Sequence, residues 1–227
     1  MIYIHSTIRI AGGTTAAYVE ARRQAWLPFI REDGLLRLLG FWQTAHGAGA
    51  SYELTLLTAV DSWEELGRVT ARGRTNPRLA EWRRLSQEYH RNVTTKLLLP
   101  APWCRLEADT EAELSLSSGG RLFLEDTMHT LPGKLDAYIE ALNRDWAAYT
   151  ERSGLNHVMG GFFTAPVAGR QNEFVLLQGI PGWEGWAQMR RPGVQHPEAL
   201  AWLQRGLEYR HEWHSKMLQP FDWSPLR

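Results

Sequence analysis

The feature that most restricts the fold is an internal duplication with an offset of 120 residues. Residues 34–57 (GLLRLLGFWQTAHGAGASYELTLL) recur in recognisable form at 154–177 (GLNHVMGGFFTAPVAGRQNEFVLL), and ten positions are identical between the two stretches. The match continues without a gap on both sides, at about a quarter of the aligned positions over roughly a hundred residues. A register held for that length indicates two copies of one structural unit.

Both copies begin with the signals of a strand, a helix and a hairpin. In residues 2–10 the isoleucines share one face of a period-two pattern, which predicts a strand. Thr14 or Thr15 suits the N-cap of a helix, and Gly34 suits its left-handed C-terminal cap. Residues 34–57 then alternate between apolar runs and a Gly/Ala-rich turn, which predicts a β-hairpin.

Each copy ends with a second helix and a fourth strand. Residues 62–65 (SWEE) form a capping box that predicts the start of this helix. We expect the helix to be interrupted near Gly73 and to restart at Asn76-Pro77, an N-cap followed by proline at the first helical position. Residues 93–99 (VTTKLLL) predict the last strand.

The order β-α-β-β-α-β defines the ferredoxin-like unit, whose antiparallel sheet has helices on one face only. Two such sheets can bury their open faces against each other and close a barrel. The predicted fold is therefore α+β, with two ferredoxin-like repeats forming an intramolecular dimeric α/β barrel; two independent, loosely packed domains are the alternative. The predicted boundaries are 1–103 for the first repeat, 104–120 for a linker ending in Ser-Ser-Gly-Gly, and 121–227 for the second repeat.

Charge and composition narrow the classes of partner. Lys and Arg number 25 and Asp and Glu also 25, so no basic field favours nucleic acid. No window has the length and apolarity of a membrane span, and residues 1–10 lack the apolar run of a signal peptide. The single Cys104 fits a reducing compartment. We therefore expect a soluble, cytoplasmic protein that binds neither nucleic acid nor membrane.

The inward-facing positions of the first strand of each copy carry ionisable groups. Tyr3, His5, Thr7 and Arg9 share one face of the first copy, and Phe123, Glu125, Thr127 and His129 share the matching face of the second. The copies differ at the titratable positions, where His5 matches Glu125 and Arg9 matches His129. If both strands face one cavity, this set could remove a proton and hold the resulting anion. The predicted catalytic residues are His5, Arg9, Glu125 and His129, although each also fits a solvated or hydrogen-bonded structural role.

Eleven tryptophans are an unusually large number for a chain of 227 residues, and aromatic side chains can wall a pocket for a flat ligand or simply fill a core. The predicted ligand-binding residues are Trp26, Phe41, Trp42, Trp146, His157, Phe162 and Phe163. His211 and His214 have a spacing that zinc could use, but no third ligand accompanies them in the sequence, so no metal site is predicted.

Several motifs resemble the dimeric α/β-barrel superfamily and, within it, the NIPSNAP family. They are Leu131-Pro132-Gly133-Lys134, the run Gly40-Phe41-Trp42-Gln43-Thr44 with Gly47, Asn76-Pro77 with Trp82, and His196-Pro197 with Trp202. The resemblance covers both repeats. The Tyr-Glu-Leu-Arg-like run of the family is replaced by Tyr3-Ile4-His5-Ser6 and Phe123-Leu124-Glu125-Asp126, so no arginine of that run carries over.

The resemblance implies a set of functions rather than one. The superfamily includes cofactor-independent oxygenases, isomerases and cyclases, haem-degrading enzymes and noncatalytic binders. We expect an enzyme without cofactor that abstracts a proton from a flat aromatic or polyketide-like small molecule, in secondary metabolism. A haem or hydrophobic-ligand binding module and a noncatalytic scaffold are the alternatives. The chain is expected to act as a monomeric pseudo-dimer, and pairing of two chains into a homodimer stays open.

Overall fold

The computed structural model describes residues 1–34, 36–106, 122–191 and 196–227. The first repeat contains β1 (Ile2–Ile10), α1 (Thr15–Ala25), α2 (Leu27–Asp33), β2 (Arg37–Thr44), β3 (Glu53–Val60), α3 (Trp63–Thr75), α4 (Pro77–Tyr89) and β4 (His90–Pro100). The second contains β5 (Leu122–Thr130), α5 (Leu135–Ala141), a π-helical segment (Leu142–Ala147), α6 (Ala148–Ser153), β6 (His157–Thr164), β7 (Glu173–Ile180), α7 (Gly182–Met189), α8 (Pro197–Arg205), a 3₁₀ turn (Gly206–Glu208) and β8 (Arg210–Pro220).

The strands form one closed antiparallel barrel in the order β1-β3-β2-β8-β5-β7-β6-β4. Each repeat contributes a four-stranded sheet with its first strand in an inner position. The two sheets join at two short seams of three residue pairs each, where Trp42–Thr44 meet Leu218–Pro220 and Leu98–Pro100 meet Phe162–Thr164. Closure satisfies the backbone groups of the edge strands, which an isolated repeat would leave open. The alternative of two loosely packed domains is therefore wrong.

One half of the barrel interior is an apolar layer shared by the two repeats. The Tyr3 and Phe162 rings lie 4.6 Å apart between centroids, and the Trp42 and Phe123 rings lie 5.5 Å apart. All four side chains are buried. Burying an aromatic side chain contributes roughly 1.5–3 kcal/mol, so this layer is a main attachment between the repeats.

The helices cover the outer faces of the two sheets. In the first repeat Ile8, Tyr18, Trp26, Leu79 and Trp82 pack together between sheet and helices. In the second repeat the corresponding face of β5 packs against α5 and α8. Among the described residues no helix is long and apolar enough to cross a membrane.

Most sequence-predicted boundaries are confirmed. β1 spans residues 2–10, and Gly34 ends α2 with a φ of 65°. The predicted interruption and the restart at Asn76-Pro77 are confirmed, but the break falls just after Gly73: α3 continues to Thr75 and stops where Asn76 takes the extended conformation that precedes proline. A single helical glycine costs only about 1 kcal/mol, which packing overrides.

The last strand of the first repeat is longer than predicted. β4 begins at His90 instead of residue 93, because it pairs with β1 as far as the contact between Ile10 and His90. Of the predicted linker 104–120, residues 107–120 lie outside the described residues. The division into repeats at 103 and 121 stays a prediction.

Candidate functional site

The predicted pair at the centre of the barrel is in contact. His5 Nε2 lies 2.9 Å from Glu125 Oε2, and both side chains are buried. Lys216 Nζ lies 3.1 Å from Glu125 Oε1 and 3.2 Å from Glu53 Oε1, and Lys96 pairs with Glu173. These groups surround a cavity of about 270 Å³ on the other side of the apolar layer. We call it the polar end of the barrel.

The pKa values at the polar end leave His5, and not Glu125, as the member of this pair that can accept a proton. Burial lowers the pKa of His5, so the imidazole is neutral and donates Nε2–H to the carboxylate. Burial alone would raise the pKa of Glu125, but Lys216 and His5 outweigh it and hold that pKa well below its usual range. Glu125 is therefore a firmly held carboxylate with little tendency to accept a proton.

The other two predicted catalytic residues lie at the mouth of the barrel. The Arg9 side chain is 56% exposed, and its Nε lies 3.4 Å from Glu53 Oε2. His129 is buried with Nε2 at 3.7 Å from Glu173 and 3.6 Å from Glu212. The structure thus brings His5 and Glu125 together but leaves Arg9 turned toward solvent.

The predicted ligand-binding residues are scattered over the molecule. Trp42 and Phe162 belong to the apolar layer of the barrel, while Trp26 and Phe41 are buried under the helices of the first repeat. Phe163 packs on the helix side of the second repeat, and His157 lies beside a small hollow of about 70 Å³. Trp146 differs from these residues, because it lines a large pocket.

That pocket, the second-half pocket, lies between the sheet and the helices of the second repeat. Its volume is about 550 Å³, the size of a cavity that holds a small organic molecule. Its wall is mainly aromatic and aliphatic, with a small number of polar groups. The ring-bearing side chains among its lining are Tyr138, Trp146, Tyr149, Trp186, His196, Trp202 and Trp213.

Asp126 is the buried carboxylate of this pocket. Ser215 Oγ donates to its Oδ1 at 2.6 Å, Trp213 Nε1 donates to the same atom at 2.9 Å, and Gln178 Nε2 donates to Oδ2 at 2.7 Å. Burial raises the pKa of Asp126, and the three hydrogen bonds only partly oppose that effect. An ionised carboxyl group accepts about four hydrogen bonds, so roughly one acceptor position remains for a ligand.

Further polar contacts hold this arrangement in place. The Gln178 side chain can donate to Asp126 because its Oε1 accepts from Asn156 Nδ2 at 2.6 Å and from Trp146 Nε1 at 2.8 Å. Those two donors define which end of the amide is oxygen. Asp126 therefore sits in a connected network whose orientation is determined by its neighbours.

A guanidinium group completes the pocket. Arg210 is buried, its Nη1 donates to the Tyr138 hydroxyl at 3.2 Å, and its Cζ lies 5.0 Å from the centre of the Trp213 ring. Gly206 makes room for it, because a Cβ at that position would collide with the guanidinium. The pocket thus combines one carboxylate with one buried cation and a phenol.

The first repeat fills the matching space with its own side chains. Arg22 occupies the position of Leu142, donates to the Tyr18 hydroxyl at 2.8 Å, and lies 4.2 Å from the Trp26 ring. Leu79 stands where the second repeat has Ala199. Ser6, in place of Asp126, contacts only the Thr95 hydroxyl among its described side-chain hydrogen bonds.

Differences between the two copies at helix-facing positions are the sequence signals for this pocket. The pairs Ser6/Asp126, Arg22/Leu142, Phe29/Tyr149 and Asn76/His196 all differ in polarity or volume between the copies. Asp126 is the neighbour of Glu125, but strand alternation turns it to the helix side. Comparing the copies on both faces of β5 would have identified it.

The described part of the chain contains no cluster of three His, Cys, Asp or Glu side chains arranged for a metal ion. His211 and His214 lie within 4.0 Å of Glu212, at 4.0 Å and 3.9 Å, as partly exposed ion pairs.

Comparison with known proteins supports the fold. No family model and no curated protein matches the chain. A candidate monooxygenase from Lactobacillus acidophilus superposes with a TM-score of 0.64 at 10% identity, covering 96% of this chain and 92% of that one. An anthrone oxidase-like protein gives 0.62 at 10% identity, covering 97% and 91%. A NIPSNAP domain protein from Burkholderia xenovorans is 20% identical with a TM-score of 0.41, covering 46% of this chain and 98% of that one. The fold is therefore that of the dimeric α/β barrels, and NIPSNAP proteins are among the structures similar to it.

Proposed function

We propose that the second-half pocket binds a flat aromatic or polyketide-like molecule and that Asp126 removes a proton from one of its acidic C–H bonds, without an organic cofactor. The observation that carries this proposal is a buried carboxyl group with a raised pKa in an aromatic pocket of about 550 Å³. The similarity to structures described as a candidate monooxygenase and as anthrone oxidase-like supports reaction of the resulting carbanion with dioxygen.

Asp126 has the properties of a general base. A catalytic base works best when its pKa approaches the working pH, and burial moves the pKa of Asp126 in that direction. Its three donors fix the carboxylate in one orientation, and the remaining acceptor position can receive the proton.

Arg210 and Tyr138 are placed to hold the anion that forms. Removal of a proton beside a carbonyl transfers charge to the carbonyl oxygen, and fixed donors in a buried site stabilise that charge. The Arg210 guanidinium carries a permanent positive charge, and the Tyr138 hydroxyl remains protonated because burial raises the pKa of this phenol.

Anthrone illustrates the complete reaction. Asp126 takes one methylene proton, and the delocalised anion transfers electrons to dioxygen and forms a C–O bond at the same carbon. The peroxide anion that results takes the first proton back from Asp126. The second methylene hydrogen then leaves as a proton while the O–O bond breaks, and the hydroxide released combines with that proton to give water. One anthrone and one dioxygen give one anthraquinone and one water, so the ring is oxidised and dioxygen is reduced.

Asp126→Asn tests the role of the base. Hydrogen–deuterium exchange at the anthrone methylene is followed by NMR without oxygen, and the uncatalysed background rate is subtracted. We expect the remaining rate to fall by about 100-fold or more, because a general base contributes a factor of about 10²–10⁴ to the rate. Oxygen uptake in air should fall in parallel. Ser6→Ala is the matched control at the same position of the first repeat and should retain the full rate.

The polar end of the barrel is the competing location. The low pKa of Glu125 argues against that carboxylate as the base, whereas neutral His5, whose Nδ1 has no partner among the described residues, is the rival to Asp126. If His5→Ala or His129→Ala abolishes exchange while Asp126→Asn does not, the chemistry belongs to the barrel interior and the proposal fails.

Binding without turnover is the second candidate function. Three donors hydrogen-bond to Asp126, and a carboxylate with a purely structural role would accept the same hydrogen bonds, which favours this alternative. A binding module would bind anthrone, seen as quenching of tryptophan fluorescence, and would show no exchange above background in the unmodified protein.

A further inference from the structure

We infer that the natural ligand of the second-half pocket is an anion, a flat ring system bearing a carboxylate that lies against Arg190 and Arg191. This inference rests on the proposed function for the location of the ring. Both arginines line the pocket at the end of α7, where they are largely exposed. Together with the buried Arg210 they give three positive charges against the single carboxylate of Asp126.

Arg190 and Arg191 have no arginine at the aligned positions of the first repeat. The positions of Arg190 and Arg191 hold Thr70 and Ala71 in the first repeat, where the matching space is filled by Arg22. The first repeat has arginines of its own on α3 (Arg68, Arg72 and Arg74), so the feature that distinguishes Arg190 and Arg191 is their place in the pocket lining.

The two arginines are available to a ligand. Among the described residues neither forms an ion pair with a carboxylate, unlike Arg144, Arg152 and Arg170 of the same repeat. The Arg190 guanidinium lies 4.5 Å from the centre of the Trp186 ring, another pocket residue. A planar acid could contact this ring and the charge together.

A histidine adds a directed hydrogen-bonding group to the same pocket. His196 Nδ1 lies 3.1 Å from the Tyr149 hydroxyl, whereas its Nε2 is buried and has no partner among the described residues. When the hydroxyl donates to Nδ1, the proton resides on Nε2, which can donate to a ligand oxygen. The first repeat has Phe29 and Asn76 here, so both members of the pair are specific to the open pocket.

Anthraquinone-2-carboxylate and its neutral near-isostere anthraquinone-2-carboxamide test the inference. Their dissociation constants are measured by quenching of tryptophan fluorescence at low salt. We expect the carboxylate to bind about tenfold more tightly, at roughly threefold for each exposed arginine. In Arg190→Gln/Arg191→Gln the preference should disappear through loss of carboxylate affinity, with carboxamide affinity unchanged.

Arg83→Gln/Arg84→Gln is the matched control, because it removes two adjacent exposed arginines from α4 of the first repeat. It should keep the preference. Equal affinities in the unmodified protein, a preference that survives Arg190→Gln/Arg191→Gln, or binding of neither compound would each overturn the inference. Because this readout is binding alone, it is independent of the deuterium exchange that judges Asp126.

Discussion

Asp126 gathers three donors and still has a raised pKa, which shows that its burial outweighs its hydrogen bonds. The residue differs in this respect from Glu125, its neighbour on β5, where the Lys216 cation and the His5 hydrogen bond reverse the effect of burial. Adjacent carboxyl groups on opposite faces of one strand thus have opposite tendencies to bind a proton. The one on the pocket side is the group suited to accept a proton.

This contrast predicts the pH dependence of activity. The ionised form of Asp126 is the base, so the rate of exchange should be present above its pKa and lost as the pH falls through it. Since that pKa is raised above the ordinary value of about 3.9, the loss should occur at a higher pH than for an exposed aspartate. We expect kcat/KM for anthrone to show this acid limb at a pH above that at which an exposed aspartate titrates.

The control for this profile is the affinity of the protein for anthraquinone-2-carboxamide, which carries no acidic proton and should vary little across the range. An acid limb at the position of an ordinary aspartate, or an unchanged limb in the residual activity of Asp126→Asn, would show that another group titrates.

At the level of elements, the second repeat replaces one side chain of its first helix and thereby opens a pocket. The π-helical segment contains Leu142 and Trp146, both lining residues, and such segments often occur at functional sites. In the first repeat Arg22 lies among Tyr18, Trp26 and Trp82. The second repeat retains the three aromatic residues as Tyr138, Trp146 and Trp202, but the guanidinium near Tyr138 and Trp202 now comes from Arg210 on β8 instead of from the first helix.

Leu142→Arg should therefore close the pocket. The introduced side chain has the same aromatic neighbours that accommodate Arg22, and it would share the Tyr138 hydroxyl with Arg210, which already donates to it. We expect affinity for anthraquinone-2-carboxamide to fall at least tenfold while the cooperative thermal transition is retained. Leu142→Met, which conserves volume, is the control and should bind normally. Unchanged affinity in the arginine variant would show that the ligand binds elsewhere.

The elements themselves were predictable to a large extent because their signals are local. Period two in residues 2–10, the capping serine at 62 and the Asn76-Pro77 pair each act within a few residues, and the duplication repeats the evidence. The pocket was not predictable in the same way. It depends on the combined volumes of residues such as Leu142 and Ala199, which are distant in sequence and meet only after packing.

On the scale of the whole molecule, the barrel is held by charges arranged with near two-fold symmetry. Lys96 of the first repeat pairs with Glu173 of the second, and Lys216 of the second pairs with Glu53 of the first. Each lysine and each glutamate lies 120 positions from its counterpart. The sequence predicted that His5 and Glu125 face one cavity, since alternation along β1 and β5 determines it, but the lysines beside them were not foreseen.

His5 and Glu125 occupy matching positions of the two repeats but are different residues. This pair can therefore form only because the repeats differ at this position. His5→Glu would place two carboxylates together, and Glu125→His would leave Lys216 without one of its partners. Each change should lower the free energy of unfolding by about 3–5 kcal/mol, the usual cost of breaking a buried pair. The double exchange His5→Glu/Glu125→His should recover most of the loss, because Lys96 lies beside residue 5 as Lys216 lies beside residue 125.

Urea unfolding at neutral pH measures the coupling through a double-mutant cycle. Arg9→Gln, which removes an exposed ion pair, should cost less than about 1 kcal/mol. If the double exchange is destabilised by the sum of the two single changes, His5 and Glu125 are not coupled to each other. The difference between the repeats at the centre of the barrel then has another cause.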